Sequence, residues 1–395
     1  MLRVLFLSFY YTPDLCAGSF RAAALIQALQ PMLPTGSHID VLTTLPNRYS
    51  SFSAAASEVE AGQTLVIHRI PLPSHQSGML DQSKAFLAYA RGVRAHVRGQ
   101  KYDLIFATSS RLMTAVLGAF IARSRKVPLY LDIRDIFVDT IQDILPRWLG
   151  RPMGWAFSRL ERYAVGYAGK VNLVSRGFAG YFSRRYPAKQ WAFFSNGIDD
   201  EFFATSPDEA SGAAATPPYS VLYAGNLGEG QGMHAVLPAL ARTMHGHVKF
   251  TVIGDGGRKP QLKRALDEAG VDNVTLCDPV DRAALAQAYR EADVLFLHLN
   301  DYDAFRKVLP SKLFEYAATG KPVWAGVAGY AAEFVGDEID NAAVFPPCDV
   351  EAAVKAFSSL RIQITPRPVF IRKYARRNIM QALATDIVSL GLEKR

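Results

Sequence analysis

Short apolar, often β-branched runs recur along the chain with longer helix-period segments between them, and no other feature restricts the fold as much. Strands that alternate with helices in this way build α/β units around a parallel sheet. In the front half the runs are Arg3–Ser8, Ile39–Thr43, Thr64–Arg69, Leu104–Ala107, Leu129–Asp132 and Val171–Val174. A stretch between Glu209 and Pro218, containing SGAAATPP, has no apolar periodicity and two prolines, and reads as a linker or surface loop. The pattern then restarts with Tyr219–Ala224, Val248–Ile253, Val274–Leu276, Val294–Leu297 and Val323–Ala325. Two Rossmann-like halves are the simplest account. Ligands of open α/β sheets sit beyond the carboxyl ends of the strands, so two facing halves would hold a site in the cleft between them.

Composition narrows the classes further. The 395 residues suffice for two or three domains. Three widely spaced cysteines, Cys16, Cys277 and Cys348, fit neither a disulfide framework nor a zinc ribbon and favour a reducing compartment. MLRVLFLSFYY reads as a buried first strand and not as a signal peptide, and the best apolar run, Leu112–Ala122, is too short to span a bilayer. Residues 1–195 carry 23 Lys and Arg against 11 Asp and Glu, whereas residues 196–395 carry 21 against 25. The excess of +8 therefore belongs to the front half, which is expected to meet something anionic: nucleic acid, a phospholipid surface or a phosphorylated ligand.

Two segments carry chemistry. YAGNLGEGQGMHAVLPAL places Gly225, Gly228, Gly230 and Gly232 between a strand and a helix, where backbone amides can approach a diphosphate. The spacing is not that of a dinucleotide fingerprint, and the nearest acid, Asp255 in VIGDGG, comes too late for one. In AFRKVLPSKLFEYAATGKPVWAG, Pro310 and Ser311 offer helix-start chemistry, and Lys312 and Glu315 share a helix face. That pair can point an ammonium at an anion and a carboxylate at two ribose hydroxyls, or it can be a solvated i,i+3 ion pair.

In their order along the chain, FYYTPDLCAGSFRAAAL, DIRDIF, RLERYAVGYAGKVNLVSRGFAGYF, FFSNGID, YAGNLGEGQG, VIGDGG and PSKLFEYAATGKPV resemble the GT-B glycosyltransferases of family 4, in particular the O-antigen and capsule branch that includes fucosamine-transferase-like enzymes. The resemblance covers nearly the whole chain. It implies an acceptor domain over residues 1–195, a nucleotide-sugar donor domain over 196–368, and a C-terminal helix within 369–395 that packs back on the first domain, with Phe370–Leu392 suited to it. It also implies that Gly225, Asn226 and Gly228 form the diphosphate loop, Gly254 and Asp255 the turn beside the base, Glu315 the ribose carboxylate and Lys312 a diphosphate cation. Gly18 and Ser19 resemble the first domain's donor-facing loop, and Asn196, Pro310, Ser311 and Leu313 complete the implied donor set. Three positions depart from the family pattern. Lys307 stands where an earlier glutamate is common, Gln231 stands near a usual lysine, and Thr108 and Ser109 replace a usual histidine. Arg306, Lys307 and Lys312 are the substitute cations.

Sugar transfer from a nucleotide diphosphate needs developing charge on the leaving phosphate stabilised, and cations with backbone amides can do this without a metal. No cofactor is expected, the nucleotide-sugar being a substrate, and Asp301 and Asp303 read as polar loop residues. Asp132, Arg134 and Asp135 follow a strand end, where a carboxylate can orient an acceptor hydroxyl and the arginine bind a phosphate, or where an ordinary salt-bridged turn can lie. His298, at a strand end, is the histidine most worth testing. Along Leu80–Lys101, Leu80, Leu87, Ala90, Val93 and Val97 make an apolar stripe beside Lys84, Arg91, Arg94, Arg98 and Lys101. RWLGRPMGWAFSRLERY interleaves Arg147, Arg151, Arg159 and Arg162 with Trp148, Trp155 and Phe157, as suits a lipid headgroup layer or a core helix with a solvated basic side.

The expectation is a metal-independent, retaining glycosyltransferase that moves an N-acetylated amino or deoxyamino sugar from UDP to a polyprenyl-diphosphate-linked acceptor in O-antigen or lipopolysaccharide biosynthesis. It would work peripherally on the cytoplasmic face of the plasma membrane and without nucleic acid. A non-hydrolysing UDP-sugar epimerase and a basic nucleic-acid-binding protein are the alternatives.

Overall fold

The computed structural model describes residues 1–47, 55–73, 79–109, 111–139, 147–202 and 216–393, with the side chains of 79–80 and 147–149 left out. Much of the expected linker at 209–218, and the side chains of Leu80, Arg147 and Trp148, lie outside the described residues. The chain forms two compact units, one of Met1–Asn196 with Arg377–Arg395 and one of Gly197–Arg376.

The first unit is built on β1 (Arg3–Leu7), β2 (His38–Thr44), β3 (Val59–Ala61), β4 (Leu65–Ile70), β5 (Leu104–Ser109), β6 (Leu129–Ile133), β7 (Lys170–Leu173) and β8 (Trp191–Ala192). Their spatial order is β3-β4-β2-β1-β5-β6-β7-β8, parallel except for the β3–β4 pair. Central strands of a parallel sheet are covered on both faces, which is why β1 and β5 read as unbroken apolar runs. On one face Val4, Phe6, Ile39, Val41 and Phe106 pack with Leu25 and Ile26 of the helix Ala17–Leu29 and with Met380, Leu383 and Ile387 near the C-terminus.

The second unit holds β9 (Tyr219–Ala224), β10 (Val248–Ile253), β11 (Val274–Cys277), β12 (Val294–His298), β13 (Val323–Gly326) and β14 (Ala342–Phe345). All are parallel, in the order β11-β10-β9-β12-β13-β14. The strands that sequence reasoning missed are β3, β8 and β14. β3 and β8, of three and two residues, are too short for periodicity to register, and β14 is a four-residue edge strand.

The expected return to the first unit at residue 369 comes later, after Arg376. Phe370 is buried in the second unit's core beside Phe314 and Phe334, so the helix Pro368–Tyr374 stays there. The expected single helix is therefore two, broken at Ala375, and only Arg376–Glu393 runs on into the first unit. Where the chain enters and leaves the second unit, Ile198 pairs with Ala375 and Asp199 forms an ion pair with Arg376. No helix among the described residues is long and apolar enough to cross a membrane.

A buried ion pair ties the first unit together. Arg21 grips both oxygens of Asp132 at 3.0 and 2.9 Å and also donates to the carbonyls of Phe194 and Ser195. Asn172 and Thr108 donate to the same carboxylate at 2.7 and 3.3 Å. Burial alone would raise the Asp132 pKa, but Arg21 outweighs it and holds the group below the ordinary carboxylate range. The expectation that Asp132 orients an acceptor hydroxyl is thus corrected, because protein donors already occupy both oxygens. Asp132→Asn leaves Arg21 buried without a counter-charge, and urea unfolding should show a loss of about 3–5 kcal/mol, with Arg21→Met in the same chain restoring part of it. Because the folded pKa is lowered, this contribution is full above the ordinary carboxylate range and is lost as pH falls below about 4.

Candidate active site

Parallel sheets reverse their winding where two neighbouring strands send their crossovers in opposite directions, and a crevice opens there at the carboxyl ends. In the second unit this point lies between β9 and β12, and in the first between β1 and β5.

The loop after β9 lies backbone to backbone on the loop after β10. Leu227 N–H donates to Asp255 O at 2.8 Å, and Gly225 N–H to Ile253 O at 3.0 Å. A Cβ on Gly254 would stand 1.9 Å from the Gly225 carbonyl oxygen, and one on Gly256 2.6 Å from the Leu227 carbonyl carbon. Glycine at both positions is the condition for this approach. Asp255 turns its carboxylate to Gly256 N–H at 2.8 Å. Within the first loop, Gln231 Oε1 accepts from Asn226 Nδ2 at 2.7 Å and from Gly228 N–H at 3.3 Å. Gln231, at the position where a lysine was looked for, is an internal clamp. From the β12 side, Asn300 donates its N–H to Gly230 O at 2.8 Å and its amide to Glu229 O at 2.9 Å.

Between β12 and β13 the chain forms the short helix Lys312–Ala318. Glu315 is only 5% exposed, and its Oε2 accepts from Lys312 Nζ at 2.8 Å and from Tyr289 Oη at 2.9 Å. Lys312 Nζ also donates to Tyr289 Oη at 2.9 Å, closing a triangle. Burial would raise the Glu315 pKa, but the Lys312 charge and these hydrogen bonds lower it, so the carboxylate is ionised at neutral pH. The pair is therefore not a solvated surface contact. Tyr289 was not singled out from sequence, since a lone tyrosine on the helix Arg282–Glu291 gives no local signal. Leu313 is fully buried and anchors the helix. Ser311 makes no side-chain cap, contrary to expectation: its conformation is already helical, and the carbonyls of Pro310 and Ser311 take the N–H groups of Leu313 and Phe314. Arg306 pairs with Asp301 and Asp303 at 3.3 and 3.4 Å in the five-residue turn that also contains Lys307.

In the first unit, Arg134 comes to the start of the helix Ala17–Leu29, its guanidinium carbon 3.9 Å from where a Gly18 Cβ would be. That helix has no side-chain cap. Among the described residues, Arg134 Nη1, Ser19 Oγ and Asn196 Oδ1 are buried atoms without a hydrogen-bond partner, and Ser19 is wholly buried. Ser109 Oγ holds Arg134 N–H at 3.3 Å, while Asp135 is solvent-exposed. The structure thus brings Arg134 together with Gly18, and although the charges of Asp132 and Arg21 act on it, its side chain makes no hydrogen bond to that pair.

Three helices of this unit carry an arginine-rich surface. On Met79–Val97 the buried side is Ala85, Phe86, Tyr89, Val93 and Val97; Leu87, expected in the apolar stripe, is exposed beside Arg91, Arg94 and Arg98. Arg94 lies over the exposed Phe120 ring at 5.4 Å, Arg123 over Tyr163 at 5.8 Å, and Arg159 over Trp155 at 4.7 Å. Trp155 is 63% exposed and shares the outer face of Arg147–Tyr167 with Arg151, Arg159 and Arg162. The Phe120 contribution was invisible in sequence because it depends on which helices become neighbours.

Comparison with known proteins agrees with this architecture. Residues 19–197 match the family model "Glycosyl transferase 4-like domain" and residues 206–377 match "Glycosyl transferases group 1". The "Putative colanic acid biosynthesis glycosyl transferase WcaI" of Escherichia coli (strain K12) is 28% identical over 179 residues, covering 42% of this chain and 42% of that protein's length. Among solved structures, sucrose-phosphate synthase from Thermosynechococcus elongatus has a TM-score of 0.70 at 15% identity, covering 100% of this chain and 97% of that one. Anabaena HepE in complex with UDP and glucose has 0.64 at 18%, covering 98% and 100%. WaaG, a glycosyltransferase involved in lipopolysaccharide biosynthesis, has 0.61 at 15%, covering 99% and 98%. With two adjoining family models matched along most of its length and the two-sheet fold of these enzymes, the chain belongs to the GT-B glycosyltransferases of family 4.

Proposed function

We propose that this glycosyltransferase takes its sugar from a UDP-sugar and delivers it to a polyprenyl-diphosphate-linked acceptor during surface polysaccharide assembly. The observation that carries the donor half is Glu315, buried and ionised in its triangle with Lys312 and Tyr289, in the unit whose glycine loops pack backbone on backbone. A carboxylate held through one oxygen keeps its other oxygen's lone pairs for paired hydroxyls such as those of ribose. The loop of Gly225, Asn226 and Gly228 suits a diphosphate, and Gly254 and Asp255 suit the base beside it. HepE, crystallised with UDP and glucose, supports UDP as the nucleotide, and the name of WcaI supports a polysaccharide product.

As the glycosidic bond to the diphosphate breaks, charge grows on the leaving phosphate. Lys312, already fixed by Glu315 and Tyr289, would stabilise it without reorganising, which is where a charged transition state gains most. In this reading the reaction is metal-independent and retains anomeric configuration, and the sugar is an N-acetylated amino or deoxyamino sugar. Arg134, with Ser19 and the uncapped helix start beside it, is suited to a phosphate of the acceptor or donor. The exposed Leu87, Phe120 and Trp155 among arginines suit an anionic headgroup layer on the cytoplasmic face, where such an acceptor would lie.

Glu315→Ala removes charge-assisted hydrogen bonds to ribose, so calorimetric titration with UDP should show affinity falling about tenfold or more, with transfer activity falling in step. An unchanged UDP affinity would overturn the donor assignment. For the membrane, reversing Arg91, Arg94 and Arg159 to Glu should lower binding to vesicles containing anionic phospholipid by at least about 100-fold, at roughly 1 kcal/mol per removed cation. Sedimentation of the variant with such vesicles at wild-type levels would remove this surface from the proposal.

A further inference from the structure

His298, the last residue of β12, is 1% exposed and uses both ring nitrogens. Nδ1 lies 2.7 Å from the Gln231 carbonyl oxygen, which can only accept, and Nε2 lies 2.9 Å from the Cys348 backbone N–H, which can only donate. Together these contacts admit one form of the ring, neutral with its proton on Nδ1. Burial, with the His234 charge nearby, pushes the pKa down to about 4, so this form persists at physiological pH; His234 and Cys348 are the titratable groups beside it. The ring is fixed in shape as well. Phe296 and Phe345 stack on it at 6.3 and 6.1 Å, and a Cβ on Gly326 would stand 2.3 Å from its Cδ2.

The contact to Gln231 is to the main chain, so it fixes where that residue's side chain begins. From there Gln231 Oε1 reaches Asn226 Nδ2 and Gly228 N–H, the two hydrogen bonds that shape the glycine loop. On its other side His298 leads to Cys348, whose φ of 63° sets the turn after β14 and whose Sγ donates to Asn300 Oδ1 at 3.4 Å. Asn300 in turn holds Glu229 O and Gly230 O. Two routes from the ends of β12 and β14 therefore converge on residues 229–231.

We infer that His298 is a positioning residue for donor phosphate binding: a neutral ring that never meets the nucleotide but holds the Gly225–Gly232 loop, through Gln231, in the shape that receives the phosphates. This rests on the donor-site reading above. A loop left unshaped would have to be ordered by the ligand, and that cost would be subtracted from affinity.

His298→Phe keeps an aromatic ring between Phe296 and Phe345 and loses both hydrogen bonds. Its Kd for UDP should rise about tenfold, and its donor KM in step, while kcat at saturating donor stays within about twofold. His298→Asn places an amide N–H where Nδ1 stood and should recover affinity to within about threefold of wild type; His298→Gln, whose amide reaches the Cys348 side, should not. If His298→Phe does not fold, the Asn and Gln pair decides alone. Wild-type UDP affinity in the Phe or Gln variant, or an Asn variant as weak as the Gln one, would overturn the inference. Unchanged UDP affinity in Gln231→Ala and Glu315→Ala together would instead overturn the donor-site reading beneath it.

Discussion

Parallel strands cannot be joined by tight turns, and this constraint organises both units. Each connection must cross over the sheet, so each unit acquires a place where crossovers diverge and a crevice lies at the carboxyl ends of two strands. In the second unit that place is between β9 and β12, and the residues that carry the functional reading belong to the loops and helices that follow such strand ends. The fold supplies the position, and side chains then decide what the position can bind.

In the second unit the means are few and fixed. That half of the chain has no excess of positive charge with which to attract a nucleotide. It has instead backbone amides brought close by missing Cβ atoms at Gly254 and Gly256, and an ionised carboxylate kept that way by one lysine and one tyrosine. Buried polar groups are costly when half-satisfied and rigid when fully satisfied. Glu315, Gln231 and His298 are held by specific partners, which makes this part of the molecule suited to presenting groups without rearrangement.

The first unit separates two kinds of charge. Arg21 and Asp132 are turned inward, bonded to each other and to carbonyls at the end of the first unit, and serve the fold. Arg134, two residues beyond Asp132, keeps a buried side-chain nitrogen, Nη1, without a hydrogen-bond partner among the described residues, beside the start of the first helix. Outward-facing arginines lie over aromatic rings on three neighbouring helices, so the basic excess of the front half is concentrated and not spread as a general solubilising charge.

The alternation of apolar runs was enough to locate eleven of the fourteen described strands and to divide the chain into two Rossmann-like halves, because a strand buried on both faces must be apolar along its length. The glycines at 225, 228 and 254, and Lys312 with Glu315, were also legible, since backbone approach and helix-face spacing are local properties. Tertiary structure decided the rest. Asp132 and Arg134 stand side by side in DIRDIF, and only Arg21, distant in sequence, shows that the carboxylate is taken up within the fold. Tyr289, the Gln231 clamp and the tautomer of His298 depend on contacts between loops that follow different strands. The resemblance put Phe370 on the returning helix, and only its contacts with Phe314 and Phe334 place it in the second unit's core. The sequence determined which residues are buried and where the backbone can bend; the three-dimensional arrangement decided their partners, since a partner far along the chain leaves no periodic trace.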